Sequence, residues 1–243
     1  MYGVCMVLGV VLAGVLALVR CRQKGKDGND LIVIGACALL VGLMLAKLLY
    51  LVVSYGLGRV MEDLRAGRFD FLGDDGLVFY GGLIGGIVGA FAGVTIVKGK
   101  FSDYCDVLVP CVPLGHAFGR LGCFFGGCCY GMPYEGVGCL YLHAAGVHYG
   151  TFPVQLLEMV LNLGICAYLL WYTKGETKPG HSLYRYLLMY ALVRFGLEFL
   201  RGDLIRGVAA GLSTSQWISI VLGIVSLVMM IPQVNGFIHR QKN

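Results

Sequence analysis

Residues 31–53 read LIVIGACALLVGLMLAKLLYLVV, an apolar run interrupted by a single charged side chain, Lys47. Coiled as a helix at about 1.5 Å per residue, such a run reaches across the roughly 30 Å hydrocarbon layer of a bilayer. The run is continuous, whereas a barrel strand would alternate over ~10 residues. Comparable runs lie near 2–19, 77–97, 105–125, 153–172, 182–200 and 214–232. The fold class expected is therefore all-α, a polytopic integral membrane protein with about seven transmembrane helices.

Composition agrees. Of the 243 residues, 58% are hydrophobic and 14% charged, and mean hydropathy is +0.77. A water-soluble domain carries roughly 25% charged residues, so the chain reads as one transmembrane domain, 1–243. The net charge of +5 does not indicate nucleic acid, because the charges sit in gaps between spans and form no basic stripe interleaved with aromatics. No cleavable signal peptide is expected: the first run begins at Tyr2, with no basic stretch before it and no small-residue cleavage pattern.

Lys and Arg orient the spans. Arg20, Arg22, Lys24 and Lys26 follow the first, Lys98 and Lys100 the third, Lys174 and Lys178 the fifth, and Arg240 and Lys242 the last. The opposite gaps hold no Lys, and their Arg59, Arg65, Arg68, Arg201 and Arg206 are mixed with Glu62, Asp63, Asp70, Asp74, Asp75 and Asp203. The N-terminus is thus expected outside and the C-terminus inside. Two extracytoplasmic segments exceed a turn. Segment 54–76 has the mixed charge of a short amphipathic helix, and 126–152, rich in Gly, Tyr and Cys, suits a loop over the outer mouth. The glycines of GGLIGGIVGAFAG at 81–93 suit close helix packing.

Charge at membrane depth costs at least ~2.5–3.5 kcal/mol on insertion scales, so each such residue needs a reason. In the sixth run Tyr190, Arg194, Glu198 and Arg201 share one helical face. His116, Arg120 and Cys123 do so in the fourth, and Gln155 and Glu158 open the fifth. All three groups fall in the outer half on this topology and should converge. Paired guanidiniums there suit a phosphate, and a phospholipid head group supplies one at that depth. The alternative is a self-neutralising Arg194–Glu198 pair with Arg201 snorkelling to the interface. Lys47 and Arg185 are given no role.

The run Gly119-Arg120-Leu121-Gly122-Cys123-Phe124, followed by Gly127 and Gly131, resembles the signature of the bacterial prolipoprotein diacylglyceryl transferases. Further matches occur in order: Tyr2-Gly3, Gly81-Gly82, Pro153 to Glu158, then Tyr190, Arg194, Glu198 and Arg201. The resemblance spans nearly the whole chain. It implies a bacterial cell-membrane enzyme, facing the extracytoplasmic side, that moves a diacylglyceryl group from phosphatidylglycerol to the thiol of a lipobox cysteine in a preprolipoprotein. Glycerol 1-phosphate leaves, and no metal or cofactor is expected. On this resemblance Arg120 and Arg194 hold the phosphate and stabilise the leaving group, and Glu198 orients an arginine. Tyr2 and Tyr190 bind the lipid, and Gly81 and Gly82 allow close approach. Gly119, Gly122, Cys123, Gly131, Gln155 and Glu158 complete the substrate site.

Three positions depart from the family pattern. Tyr80 stands where the family has a His, Cys123 replaces an Asn, and Cys128 replaces a Glu and is followed by Cys129. A phenol of pKa ~10 is a poor base for a thiol of pKa ~8.5, so Tyr80 serves as a hydrogen-bond donor in the catalytic set. His116 is an added imidazole that either takes the base's place or is hydrogen-bonded between helices. Cys123, Cys128, Cys129 and Cys139 are expected to gather at the outer mouth. Three readings stay open for them: a disulfide, free packing residues, or a metal or redox site with His116, although the spacing is not that of a structural zinc site. Two rival functions also stand: a protein of the same fold with another acceptor or a thiol-redox role, and a non-catalytic lipid-binding scaffold.

Overall fold

The computed structural model describes residues 1–67, 79–141, 149–175, 180–202, 208–209 and 211–231. Of Tyr80 only the backbone is described, so its catalytic assignment lies outside the described side chains; Arg68, Asp70, Asp74, Asp75, Asp203, Arg206, Lys178, Arg240 and Lys242 lie outside the described residues altogether. The helices are α1 (Tyr2–Gln23), α2 (Gly28–Tyr55), α3 (Leu57–Arg65), α4 (Phe79–Ile96), α5 (Phe101–Leu108), α6 (Val112–Gly126), α7 (Val154–Tyr172), α8 (His181–Glu198) and α9 (Thr214–Met230). Two hairpin fragments, β1 (Leu140–Tyr141) with β2 (Gly150–Thr151) and β3 (Val208–Ala209) with β4 (Leu212–Ser213), are antiparallel.

Each apolar run of the sequence contains a helix. Among the described residues, four stretches are long and apolar enough to cross a membrane: Tyr2–Gln23, Gly28–Tyr55, Phe101–Gly126 and Val154–Tyr172. Ile84–Ile96 and Thr214–Met230 are apolar but shorter, and α8 is diluted by Arg185, Arg194 and Glu198. Val4, Val7, Val10, Val11 and Val15 of α1 point outward, as they do on a surface facing lipid. The protein is an all-α, multi-pass membrane protein.

The chain forms two compact units, one of Cys21–Phe101 and one of Met1–Arg20 with Ser102–Asn243. In the first, α4 lies along α2. Gly81, Gly85, Gly89 and Gly93 recur every four residues on the contacting face. A Cβ on Gly85 would come 2.5 Å from the Val41 carbonyl oxygen, and one on Gly93 2.6 Å from Ile34 Cα. These glycines let the two backbones touch. The amphipathic segment expected within 54–76 is α3, whose Val60 packs with Leu51, Tyr50 and Tyr55 while Arg59 and Glu62 face outward.

In the second unit a proline sets the main irregularity. Pro110 lacks the N–H that would bond the Asp106 carbonyl, so α5 tightens into the 3₁₀ turn Val109–Cys111 before α6 resumes. Arg20 supplies the missing donor. Its Nη2 donates to the Asp106 carbonyl at 2.7 Å and to Thr173 Oγ1 at 2.7 Å, and its Nε to the Val107 carbonyl at 3.3 Å. Arg20 is 4% exposed. The sequence reading took it for a loop charge that marks topology; it is instead inside α1, which runs on to Gln23, and it fastens α1 to α5 and the end of α7. Arg20→Met should therefore destabilise this unit by about 1–3 kcal/mol, the cost of leaving a buried carbonyl unsatisfied, read as a lower Tm in detergent. An unchanged Tm would show that the Asp106 carbonyl finds another donor.

Candidate active site

Three helices of the second unit bring together the residues that share faces in the sequence. On α6, His116, Arg120 and Cys123 follow one another at i, i+4 and i+7. Helix α7 starts after Pro153, whose missing N–H costs nothing at a helix start. Its first turns bury Gln155 and Glu158, each 1% exposed. Helix α8 contributes Tyr190, Arg194 and Glu198.

Glu158 is the hub. Its Oε1 lies 3.0 Å from Arg120 Nε and 3.6 Å from His116 Nε2. Arg120 Nε also donates to His116 Nε2 at 3.3 Å, so that imidazole nitrogen is engaged by the guanidinium. Tyr190 lies beside Arg120 and its ring sits 5.2 Å from that of His116. Asn162, fully buried, donates from Nδ2 to the Glu158 carbonyl at 2.8 Å. Arg194 holds Glu198 with 2.8 Å between Nη2 and Oε2, and the same Nη2 donates to Ser215 Oγ at 3.1 Å. Its Nη1 is buried with no hydrogen-bond partner. Arg120 and Arg194 thus pair with two carboxylates, Glu158 and Glu198.

The chain beyond α6 folds back over this cluster. Gly127 turns left-handed at φ 67°. The Cys128 N–H donates to the Cys123 carbonyl at 3.2 Å and the Gly127 N–H to that of Phe124 at 3.3 Å, the bond pair of a Schellman ending. Cys129 also has positive φ, 58°, which is uncommon for a residue with a Cβ. Gln155 Nε2 fixes the turn by donating to the Cys128 carbonyl at 2.9 Å. Residues 131–134 then run between two other segments. The Met132 N–H donates to the Leu200 carbonyl at 2.9 Å, Phe152 N–H to the Met132 carbonyl at 3.0 Å and Tyr134 N–H to the Gly150 carbonyl at 2.8 Å. Gly131 is bridged to Arg201, and a Cβ there would press on the Leu200 carbonyl oxygen at 3.0 Å. Within the segment 126–152, the described residues 131–134 and 150–152 are tied by backbone bonds to one another and to the end of α8.

That turn gathers the Cys123, Cys128 and Cys129 sulfurs within 4.8 Å of one another. All ten cysteines are free thiols. Cys129 is held below the ordinary thiol range by its hydrogen bond with Cys123 and by Arg201, whereas desolvation pushes Cys128 up. Tyr2 of α1 lies against this corner: a Cβ on Gly122 would meet its ring carbon at 3.2 Å. Cys139 does not join the three sulfurs as expected; it sits beside Gly150, 3.6 Å from where that residue's Cβ would be. Cys5, Cys21, Cys105, Cys111 and Cys166 are buried packing residues.

Of the residues singled out in the sequence, His116, Arg120, Cys123, Gln155, Glu158, Tyr190, Arg194, Glu198 and Arg201 come together, with Tyr2, Gly122 and Gly131 at the edge. Gly119 faces α1, where a Cβ would meet Met6 Sδ at 3.6 Å. Gly81 and Gly82 belong to the other unit. Ser215 and Asn162 were missed. A hint for Ser215 existed in the Ser213-x-x-Gln216 capping box that starts α9; Asn162, one turn after Glu158, is signalled only by that spacing.

A family model described as prolipoprotein diacylglyceryl transferase matches residues 1–232. The chain is 33% identical over 228 residues to phosphatidylglycerol–prolipoprotein diacylglyceryl transferase 2 of Clostridium perfringens, covering 91% of this chain and 86% of that protein. It is 30% identical over 235 residues to the corresponding transferase of Clostridium tetani, covering 93% and 90%. With the one from Dehalococcoides mccartyi strain 195 the identity is 29% over 247 residues, 99% of this chain and 89% of that one. With its arginine cluster in place and nearly its full length matched, the chain belongs to the prolipoprotein diacylglyceryl transferase family of bacterial membrane enzymes.

Proposed function

We propose that the protein transfers a diacylglyceryl group from phosphatidylglycerol to the thiol of a lipobox cysteine in a preprolipoprotein, releasing glycerol 1-phosphate. The observation that carries this reading is the pair of largely buried guanidiniums, Arg120 and Arg194, with Arg194 Nη1 unpartnered. In the reaction a sulfur–carbon bond forms at the glyceryl carbon while its bond to the phosphate oxygen breaks. The electron pair stays on that oxygen, and a phosphodiester monoanion becomes a monoester with one more negative charge. Donors already aimed at the place where charge develops stabilise that transition state more than the ground state.

Arg120 and Arg194 take the phosphate. Glu158 and His116 hold Arg120 in place, and Glu198 with Ser215 holds Arg194. Tyr190 and Tyr2 bind the lipid head and ester region, and Gly119, Gly122, Cys123, Gly131, Gln155 and Arg201 shape the substrate site. His116, whose Nε2 is taken up by Arg120, acts on that arginine first. On this reading all seven apolar runs cross the bacterial inner membrane, with the N-terminus outside, the C-terminus inside and the cluster opening outward.

The direct assay combines purified protein, phosphatidylglycerol and a lipobox peptide, following glycerol phosphate release and peptide mass. A diacylglyceryl increment on the peptide is expected; phosphate release with an unmodified peptide contradicts this acceptor. Arg120→Ala and Arg194→Ala should each lower kcat by ~10²–10³, the usual loss for one electrostatic donor, and full activity in either would refute its role. Glu158→Gln, which leaves the shape but frees Arg120, should lower kcat more than it raises KM. A change in KM alone would make Glu158 a binding group only.

A further inference from the structure

The Schellman turn that ends α6 does more than cap a helix: it brings three sulfurs from different directions to one point. Cys123 comes from the last turns of α6, Cys128 from the residue after the left-handed Gly127, and Cys129 from a second left-handed residue. Their sulfurs lie within 4.8 Å of one another. Two sulfurs bonded to one zinc at ~2.3 Å with tetrahedral angles stand ~3.8 Å apart, so small side-chain rotations close the group on one ion. Arg201 stands close to Cys129, and Arg120 acts on Cys123 and Cys129, so guanidiniums stand by to offset the negative charge of a tris-thiolate complex. Among the described residues no fourth Cys, His, Asp or Glu joins them. Three protein ligands with an open position is the arrangement of a reactive metal site, not of a closed structural one.

The geometry points to a site for a thiophilic divalent cation of the zinc class on Cys123, Cys128 and Cys129, with the fourth position taken by the acceptor thiol of the transfer reaction. The second half of this inference rests on the function proposed above. The incoming thiol replaces a water on the metal and loses its proton to solvent, since a coordinated thiol is deprotonated outright. Its sulfur then forms the bond to the glyceryl carbon, and the phosphate departs with the electrons of the broken carbon–oxygen bond toward the neighbouring arginines. Cys128 is exposed, which leaves the group open to a peptide.

Cobalt(II) titrated into the reduced full-length protein in phosphatidylglycerol micelles tests this. One equivalent per chain should give sulfur-to-metal charge-transfer absorption that competes with zinc. The band should disappear in Cys123→Ser and in Cys128→Ser, an exposed position where folding is little affected, and persist in Cys37→Ser. A lipobox cysteine peptide should shift the band, and its serine counterpart should not. No thiolate band in reduced protein, or a Cys123–Cys128 disulfide that resists reduction, overturns the site; a band indifferent to the cysteine peptide overturns the acceptor role. Transfer that proceeds equally fast in chelated and metal-loaded protein also overturns that role while leaving the transferase reading intact. A band that responds to the peptide in a protein that transfers nothing upholds the site and refutes the transferase reading.

Discussion

A carboxylate withdrawn from water inside a membrane protein must be paired, because an isolated buried charge costs several kcal/mol even after relaxation. Glu158, 1% exposed, meets that demand with Arg120 at 3.0 Å and His116 nearby. The rest of the site follows from this pair. It fixes the rotation of α6 against α7, sets the guanidinium beside Tyr190, and leaves Arg194 to its own partner, Glu198. Two pairs account for two arginines. Arg194 still holds a buried Nη1 without a hydrogen-bond partner, a donor suited to an anion.

The turn after α6 depends on the same frame. Gln155 stands one turn before Glu158 on α7, and its side chain holds the Cys128 carbonyl. The helix that carries the hub thereby also anchors the loop that covers it. Residues 131–134 are threaded between 150–152 and 200–202 by backbone bonds, so the entrance to α7 and the exit of α8 are joined over the arginines. Donors held this way are fixed before any ligand arrives, the property that the proposed electrostatic catalysis requires.

Much of this was legible in the sequence, for reasons that can be named. Helices were legible because hydrocarbon demands long apolar runs, and every run contains one. The site was legible because Tyr190, Arg194 and Glu198 repeat at helical spacing, as do His116 and Arg120, and charges on membrane helices have few places to go. Arg20 was misread because a basic residue after an apolar run usually lies in a loop. Its actual partner, the carbonyl orphaned by Pro110, is 86 residues away in sequence and leaves no local pattern. Cys139 was grouped with the other cysteines by proximity in sequence, but the turn at Gly127 sends Cys128 and Cys129 back toward Cys123 and carries Cys139 elsewhere. The strand pairing of 131–134 was equally invisible, since non-local backbone bonds carry no side-chain signature.

The central claim is that the buried arginines form a binding site for a phosphate monoester. Titration calorimetry of glycerol 1-phosphate into the purified protein, with glycerol as the uncharged comparison, measures it directly. The account predicts saturable binding of glycerol 1-phosphate that weakens with salt and is lost in Arg194→Gln, and no binding of glycerol. Equal behaviour of the two ligands, or unchanged binding in Arg194→Gln, would contradict it.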